Sequence, residues 1–503
     1  MLFNSLEFIF LFLPITWFGF YYLKDNLSLG WLVLCSLFFY AYWNPSYLTI
    51  ILASVFFNYW VGNSLHKVTF KKPLLIFGIT VNLFFLGYYK YSLFLASNLN
   101  YLFDTNFHLN SIILPLAISF FTFQQIAYLV DAYRGEAEYK FLHYSLFVIF
   151  FPQLIAGPIV HHKEIIPQFN QKYKDYSKHI TIGLTIFFIG LFKKVVIADN
   201  LSVDANLVFS AAENGYLVTF FEAWQGSLSY TLQLYFDFSG YADMAIGSAR
   251  LFGIKLPDNF NSPYKSKNII DFWRRWHMTL SRFLRDYIYI PLGGNRKGNT
   301  KKQLFIMITM VIGGLWHGAN WTFVLWGTLH GSYLVINHLW QQIHNKYYIK
   351  LKLFPQWFTS IISHTITLIA VIYAWVFFRA ESIDCALNIV KGLSGMNGIV
   401  FPEKYLRWDN LSPWLISNGA SFSNLELISS LSDLISLFLI LILGCLILPN
   451  TREFFEEHRA IHIKSIFSIK WGYNNSWALV MSLIVFISMA NLGLVKEFIY
   501  FQF

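Results

Sequence analysis

The sequence predicts an all-α protein that crosses a membrane many times, and three observations carry that reading. Of its 503 residues, 56% are hydrophobic, 20% aromatic and only 13% charged, with a mean hydropathy of +0.48, far more apolar than an ordinary soluble domain. Apolar runs of about 17–25 residues, the length a helix needs to cross the hydrocarbon core, recur along the whole chain. The runs are continuous rather than alternating, so the spanning elements are helices and not barrel strands. A formal charge of +10 would suit nucleic acid, but the Lys and Arg residues fall in short loops between the runs, where they set orientation.

Taken in order, the predicted spans lie at 5–23, 29–43, 47–62, 74–96, 111–131, 141–160, 180–198, 217–236, 303–320, 322–340, 360–378, 429–448 and 475–495. The opening stretch has no basic start and no small-residue cleavage site, which predicts a retained span rather than a signal peptide. Pro152, Gly157 and Pro158 predict a broken or re-entrant piece in 141–160. Lys67, Lys71 and Lys72 follow the third run, Arg134 and Lys140 the fifth, and Lys163, Lys172, Lys174 and Lys178 precede the seventh, whereas 97–110 has no Lys or Arg. This alternation predicts basic loops in the cytoplasm and the N-terminus outside, provided 141–160 does not fully cross. The most basic stretch, 237–302, is expected in the cytoplasm, and the acidic 199–216 and polar 379–428 outside. No repeat or low-complexity linker divides the chain, so 1–503 is read as one integral domain. Cys35, Cys385 and Cys445 are isolated, giving no disulfide framework and no metal spacing.

Chemistry is expected around His317, in VIGGLWHGANWTFVLWGTLHG, because a titratable ring inside an apolar run is a functional hypothesis by default. A neutral imidazole there suits a general base for a hydroxyl attacking a thioester; the plainer alternative is a hydrogen bond to a neighbouring helix. Gly314 with Gly318, and Gly327 with Gly331, predict close helix approach. His330 is read as structural. Just upstream lies DFWRRWHMTLSRFLRDYIYIPLGGNRKG. Read as one helix, it aligns Arg274, Ser281 and Arg285 with His277 beside them, and Arg275, Thr279, Arg282 and Asp286 on another stripe, with Arg282 and Asp286 paired. The remaining arginines suit phosphate oxygens, and the Gly-rich turn offers backbone donors; otherwise these charges are membrane anchors. Trp273, Trp276 and Tyr287 fit an interfacial belt. Trp273 is also kept, with Arg274, Arg275, Arg285, Trp316 and Asn320, in the candidate donor site. The polar residues of LPLAISFFTFQQIAYLVDAYRG, FFPQLIAGPIVHHKE and LQLYFDFSGYADMAIG are expected to satisfy one another across helices.

These blocks, together with NFNSPYKSKNIIDFWRRWHMTLSRFLRDYIYIPLGGN, GGLWHGANWTFVLWGTLHG and the terminal FIYFQF, resemble the alginate O-acetylase branch of the membrane-bound O-acyltransferases (MBOAT) over nearly the whole chain. The resemblance implies a ring of about 11–14 helices around a thin core with a tunnel. It also implies that the two family histidines correspond to His317 and His277, and that a periplasmic SGNH-hydrolase-like partner places acetyl groups on an exported polysaccharide. Ala117 stands where the resemblance leads one to expect glycine, and packing is the expected consequence. The expected function is an inner-membrane O-acetyltransferase subunit moving acetyl from a cytoplasmic donor, most simply acetyl-CoA, toward the periplasm. The alternatives are a peptidoglycan or teichoic-acid acyltransferase, a polysaccharide or lipid transporter without chemistry, and a structural scaffold.

Overall fold

A computed structural model describes residues 1–503 apart from 111, 138, 156, 172–174, 348–354, 408–410, 424, 426, 429–430, 456–470, 473 and 494–503; the terminal FIYFQF lies outside the described residues. Among the described residues helices dominate, and the strands are Ile399–Pro402 and Ala420–Ser423, one short parallel pair. Among the described residues, four helical stretches are long and apolar enough to cross a membrane: Tyr47–Leu65, Lys71–Phe103, Tyr176–Glu213 and Gln356–Arg379. Shorter apolar helices are Phe8–Tyr22, Asn26–Ala41, Leu431–Ile447 and Asn475–Ala490. The protein is an all-α polytopic membrane protein, as the continuous runs predicted.

Two segments differ from expectation, while the 141–160 run is broken as Pro152, Gly157 and Pro158 predicted. The 141–160 run forms the helix Phe141–Ile149 and a single turn, Phe151–Leu154. Nine residues rise only about 13 Å, too short to cross as a helix. Residues 199–216, expected as an outward loop, are mostly helical as Asp199–Glu213. The run placed at 217–236 continues as one helix, Phe220–Leu251, so the first part of the predicted basic segment is helix. Its side chains there include buried Asp237, Ser239 and Ser248, and a polar interior of that kind is what masked its length in a hydropathy count.

The chain divides into two compact units, residues 1–194, 238–259 and 478–503, and residues 195–237 and 260–477. In the first, polar groups pair across helices as expected. Asn58 and Asn82 exchange amide bonds of 3.1 and 2.7 Å, and Gln125 donates to Ser54 Oγ at 2.9 Å while accepting from the Tyr144 hydroxyl at 3.1 Å. Such bonds stabilise helix association where no hydrophobic difference between lipid and side chain is available. Ala117 precedes the helix Ile118–Tyr133 at φ 60 and ψ 15, a left-handed conformation that costs a non-glycine residue roughly 1–2 kcal/mol. The expected glycine at this position thus concerns backbone conformation before packing. Ala117→Gly is expected to stabilise the protein, read as a rise in unfolding temperature in detergent, by less than that cost because glycine also loses more entropy on folding.

In the second unit the helices Asn299–His317 and Trp321–Tyr347 form an antiparallel hairpin whose close approach depends on glycine. A Cβ on Gly314 would strike the Phe323 carbonyl and sit 3.2 Å from Gly327 Cα, and one on Gly327 would strike the Met310 carbonyl. A Cβ on Gly331 would lie 2.7 Å from Met307 Sδ. Gly314, Gly327 and Gly331 therefore serve the packing predicted for them. Gly318 instead faces the Phe323 ring in the connecting turn.

Candidate active site

His317 is the last residue of its helix and is buried, with 4% exposure. An aromatic enclosure surrounds it: ring centroids lie 4.9 Å away for Trp316, 5.1 Å for Trp326 and 5.0 Å for Phe378. His277 is fully buried and its ring lies 6.5 Å from that of His317 and 6.2 Å from Trp316. The structure therefore brings His277, Trp316 and His317 together from sequence positions forty apart.

The basic segment is not the single helix expected. It forms Ile269–Trp273 and Met278–Leu284, broken by Arg274–His277, with His277 itself at φ 42. A non-glycine residue held in the left-handed region marks a position the surroundings over-determine, a recurrent feature of functional sites. Burial pushes the His277 imidazole down to about 3, so it is neutral at physiological pH. From Arg285 the turn becomes wider through Tyr289.

Despite the break, Arg274, Ser281 and Arg285 line one cavity of about 540 Å³, together with Trp273, Arg282, Tyr289, Asn295, Lys302, Thr309, Met310 and His338. That volume is within the range of small-molecule sites. Four cationic side chains, Arg274, Arg282, Arg285 and Lys302, thus face one space. Lys302, Ile306, Thr309 and Met310 belong to the helix that ends at His317. At 1.5 Å per residue, Met310 to His317 is about 10 Å and Lys302 to His317 about 22 Å.

Other expected contacts are placed differently. Arg275 does not line the cavity: its Nε donates to Asp271 Oδ1 at 2.9 Å and its Nη1 to the Asn261 carbonyl at 3.3 Å. It fastens the turn. Asn320 does not line the cavity either; it donates to the Glu381 carbonyl at 2.8 Å and accepts from the Thr322 N–H at 3.2 Å in the hairpin turn. The Asp286 carboxylate receives a two-pronged pair from Arg285, Nε to Oδ1 at 2.7 Å and Nη2 to Oδ2 at 3.2 Å. In the glycine-rich turn, the N–H groups of Gly293, Gly294 and Arg296 bond the carbonyls of Ile290, Tyr289 and Gly293, so these three are engaged within the turn itself.

Sequence reasoning missed Lys302, His338 and the partner of His330. Lys302 was signalled by its spacing, since 302, 306, 309 and 310 share a helix face. His330 is buried and its Nδ1 accepts from Trp273 Nε1 at 3.3 Å, with Trp326 4.8 Å away between it and His317. Its packing role was read correctly; that it orients a cavity-lining tryptophan was not. Trp326 Nε1 and Thr322 Oγ1 are buried with no hydrogen-bond partner among the described residues, a departure that calls for an explanation in a folded protein.

A buried histidine pair thus sits in an aromatic enclosure, and the helix that ends at His317 also lines a cationic cavity. Comparison with known proteins specifies the class. A family model described as MBOAT, membrane-bound O-acyltransferase family, matches residues 136–383. The chain is similar to a peptidoglycan O-acetyltransferase of Helicobacter pylori, 46% identical over 435 residues that cover 79% of this chain and 81% of that protein. It is similar to a probable alginate O-acetylase AlgI of Pseudomonas putida, 42% identical over 402 residues, covering 77% and 79%. More distantly it is similar to a teichoic acid D-alanyltransferase of Bacillus subtilis, 29% identical over 245 residues, covering 46% and 61%. The chain belongs to the membrane-bound O-acyltransferase family and is an acyltransferase.

Proposed function

We propose that this chain is the membrane subunit of a polysaccharide O-acetylation system of the bacterial inner membrane, taking acetyl from cytoplasmic acetyl-CoA and delivering it to the outer side. The observation that carries the reading is the cavity with four cationic side chains whose floor lies on the helix ending at His317. Donor phosphates bind at Arg274, Arg282, Arg285 and Lys302, and the pantetheine arm bridges the remaining distance of about 10 Å to the histidine. His317 takes the proton of the attacking hydroxyl as the oxygen adds to the thioester carbonyl, the C–S bond breaks, and the thiolate of coenzyme A leaves. The Trp326 N–H, beside His317 and with no hydrogen-bond partner among the described residues, donates to the oxyanion that develops on the carbonyl oxygen. The aromatic enclosure keeps out water that would hydrolyse the thioester. His277, neutral and buried, positions the donor.

The hydroxyl belongs to a periplasmic SGNH-hydrolase-like partner or to the exported polymer itself. The peptidoglycan and alginate enzymes among the relatives support a carbohydrate destination for the acetyl group. Deleting the chain and quantifying alkali-labile acetate separately in purified cell wall and in secreted polymer tests this: loss from one fraction names the acceptor. Unchanged acetate in both, with normal polymer export, removes the reading; loss of export without loss of ester content on the residual polymer favours a transporter. Orientation follows from the Lys and Arg asymmetry. Single cysteines at exposed Lys297 and Lys301 are expected to react with an impermeant maleimide only after the cell is opened; labelling from the outside places the donor cavity on the wrong face.

A further inference from the structure

In the first unit, two adjacent histidines converge on one oxygen of a buried carboxylate. His161 Nε2 lies 2.9 Å and His162 Nε2 3.0 Å from Asp131 Oδ2. The Asp131 and His162 side chains are each 1% exposed, and that of His161 is 26% exposed. We infer that Asp131, His161 and His162 form a binding site for one divalent transition-metal ion of the zinc class, tying the end of the helix Ile118–Tyr133 to the turn His162–Ile165.

Four features support this. First, the donor set of two imidazoles and one carboxylate is that of a three-ligand zinc site with one open position, and the three ligand atoms lie within 4.8 Å of one another. A tetrahedral ion with bonds of about 2.0 Å separates its ligand atoms by about 3.3 Å, so the two nitrogen–oxygen distances of 2.9 and 3.0 Å need to lengthen by only a few tenths of an ångström. Second, the outer support is in place, since His162 Nδ1 lies 2.7 Å from the Tyr139 hydroxyl. In the occupied site Nδ1–H donates to that hydroxyl, and such a partner fixes the ring with Nε2 toward the metal. Third, Arg134 Nη1 lies 3.3 Å from the other oxygen, Oδ1, which holds the carboxylate with Oδ2 directed at the imidazoles; this guanidinium is 44% exposed, so solvent screens its repulsion of the ion. Fourth, exposure of the His161 side chain supplies an entry path.

Binding requires both Nε2 atoms free of protons, so affinity for the ion falls as pH is lowered. The Lys163 N–H, which meets His161 Nδ1 at 3.3 Å, yields as that ring turns. The sequence could not reveal this group, because Asp131 stands thirty positions before His161 and only the return of the chain after the broken 141–160 segment brings them together.

The test uses the full chain in detergent, without an affinity tag, stripped with a chelator and titrated with Co²⁺ by visible absorption and with Zn²⁺ in competition with a chromophoric chelator. One ion per chain is expected. His161→Ala, at the rim, is expected to weaken binding at least about tenfold, and Tyr139→Phe about tenfold. His108→Ala, at an exposed position elsewhere, leaves it unchanged. If His162→Ala fails to fold, His161→Ala decides alone. A wild-type chain that retains no ion after gel filtration, or an ion held equally well by His161→Ala, overturns the site.

Discussion

His317→Ala is expected to lower acetyl transfer by about 10²- to 10⁴-fold, the contribution of a positioned general base, with wild-type amounts of protein in the membrane. The readout is radiolabelled acetyl moved from acetyl-CoA into alkali-labile ester by membranes. Removing a buried ring also leaves a hole among Trp316, Trp326 and Phe378, and a cavity alone destabilises a core. His317→Phe separates the two effects, because a phenyl ring fills the enclosure and cannot take a proton. Both variants should therefore be equally inactive, while the phenylalanine variant unfolds at the higher temperature. Ester formation near wild type in His317→Phe ends the assignment of His317 as base. His277 requires a different substitution, since its left-handed backbone (φ 42) penalises alanine. His277→Asn, a residue that tolerates this region, is expected to fold and to lose only part of the activity, which distinguishes positioning from proton transfer.

The sequence disclosed most readily what lipid demands. Continuous apolar runs gave the helical class and most span positions, because an unsatisfied backbone in hydrocarbon is too costly for any other structure. It disclosed less where helices face one another. Phe220–Leu251 carries buried Gln225, Gln233 and Asp237, and a hydropathy window cannot tell a helix with a polar interior from a loop. Part of the candidate site's grouping was legible in its residue types. His277 and His317 do meet, and Arg274 and Arg285 do share a cavity. Its geometry was not legible, because i,i+4 reasoning presumes an unbroken helix and the φ of His277 breaks it. Arg274 and Arg285 share a cavity despite that break, while Arg275 turns back to Asp271. The pairing of Arg285 with adjacent Asp286 is likewise a product of the widened turn that begins there, which heptad-like spacing does not encode.

The cationic cavity makes the donor prediction graded rather than uniform. Lys302 is half-buried on the His317 helix, whereas Arg274 and Arg285 are exposed at the rim. A charge-assisted contact away from bulk water is worth about 1.5–3 kcal/mol, and an exposed pair about 0.2–1 kcal/mol. Lys302→Ala is thus expected to raise KM for acetyl-CoA by about tenfold or more, at 1.4 kcal/mol per decade, with a smaller change in kcat. Arg274→Ala should raise it severalfold. Arg285→Ala should have the smallest effect, because Asp286 already takes that guanidinium in two bonds. Arg275→Ala should instead lower the yield of folded protein, since it removes the bonds to Asp271 and Asn261 and leaves a half-buried carboxylate without its arginine. Acetyl-pantetheine, which lacks the nucleotide phosphates, provides the control: its KM should be high in the wild type and indifferent to Lys302→Ala and Arg274→Ala. The salt dependence of acetyl-CoA use should also flatten in those two variants. If acetyl-pantetheine loses as much as acetyl-CoA, the cations act on something other than donor phosphates. If neither small thioester is used and acetyl is accepted only from a protein-bound carrier, the same four side chains form that carrier's docking surface, and the coenzyme A assignment fails while the role of His317 stands.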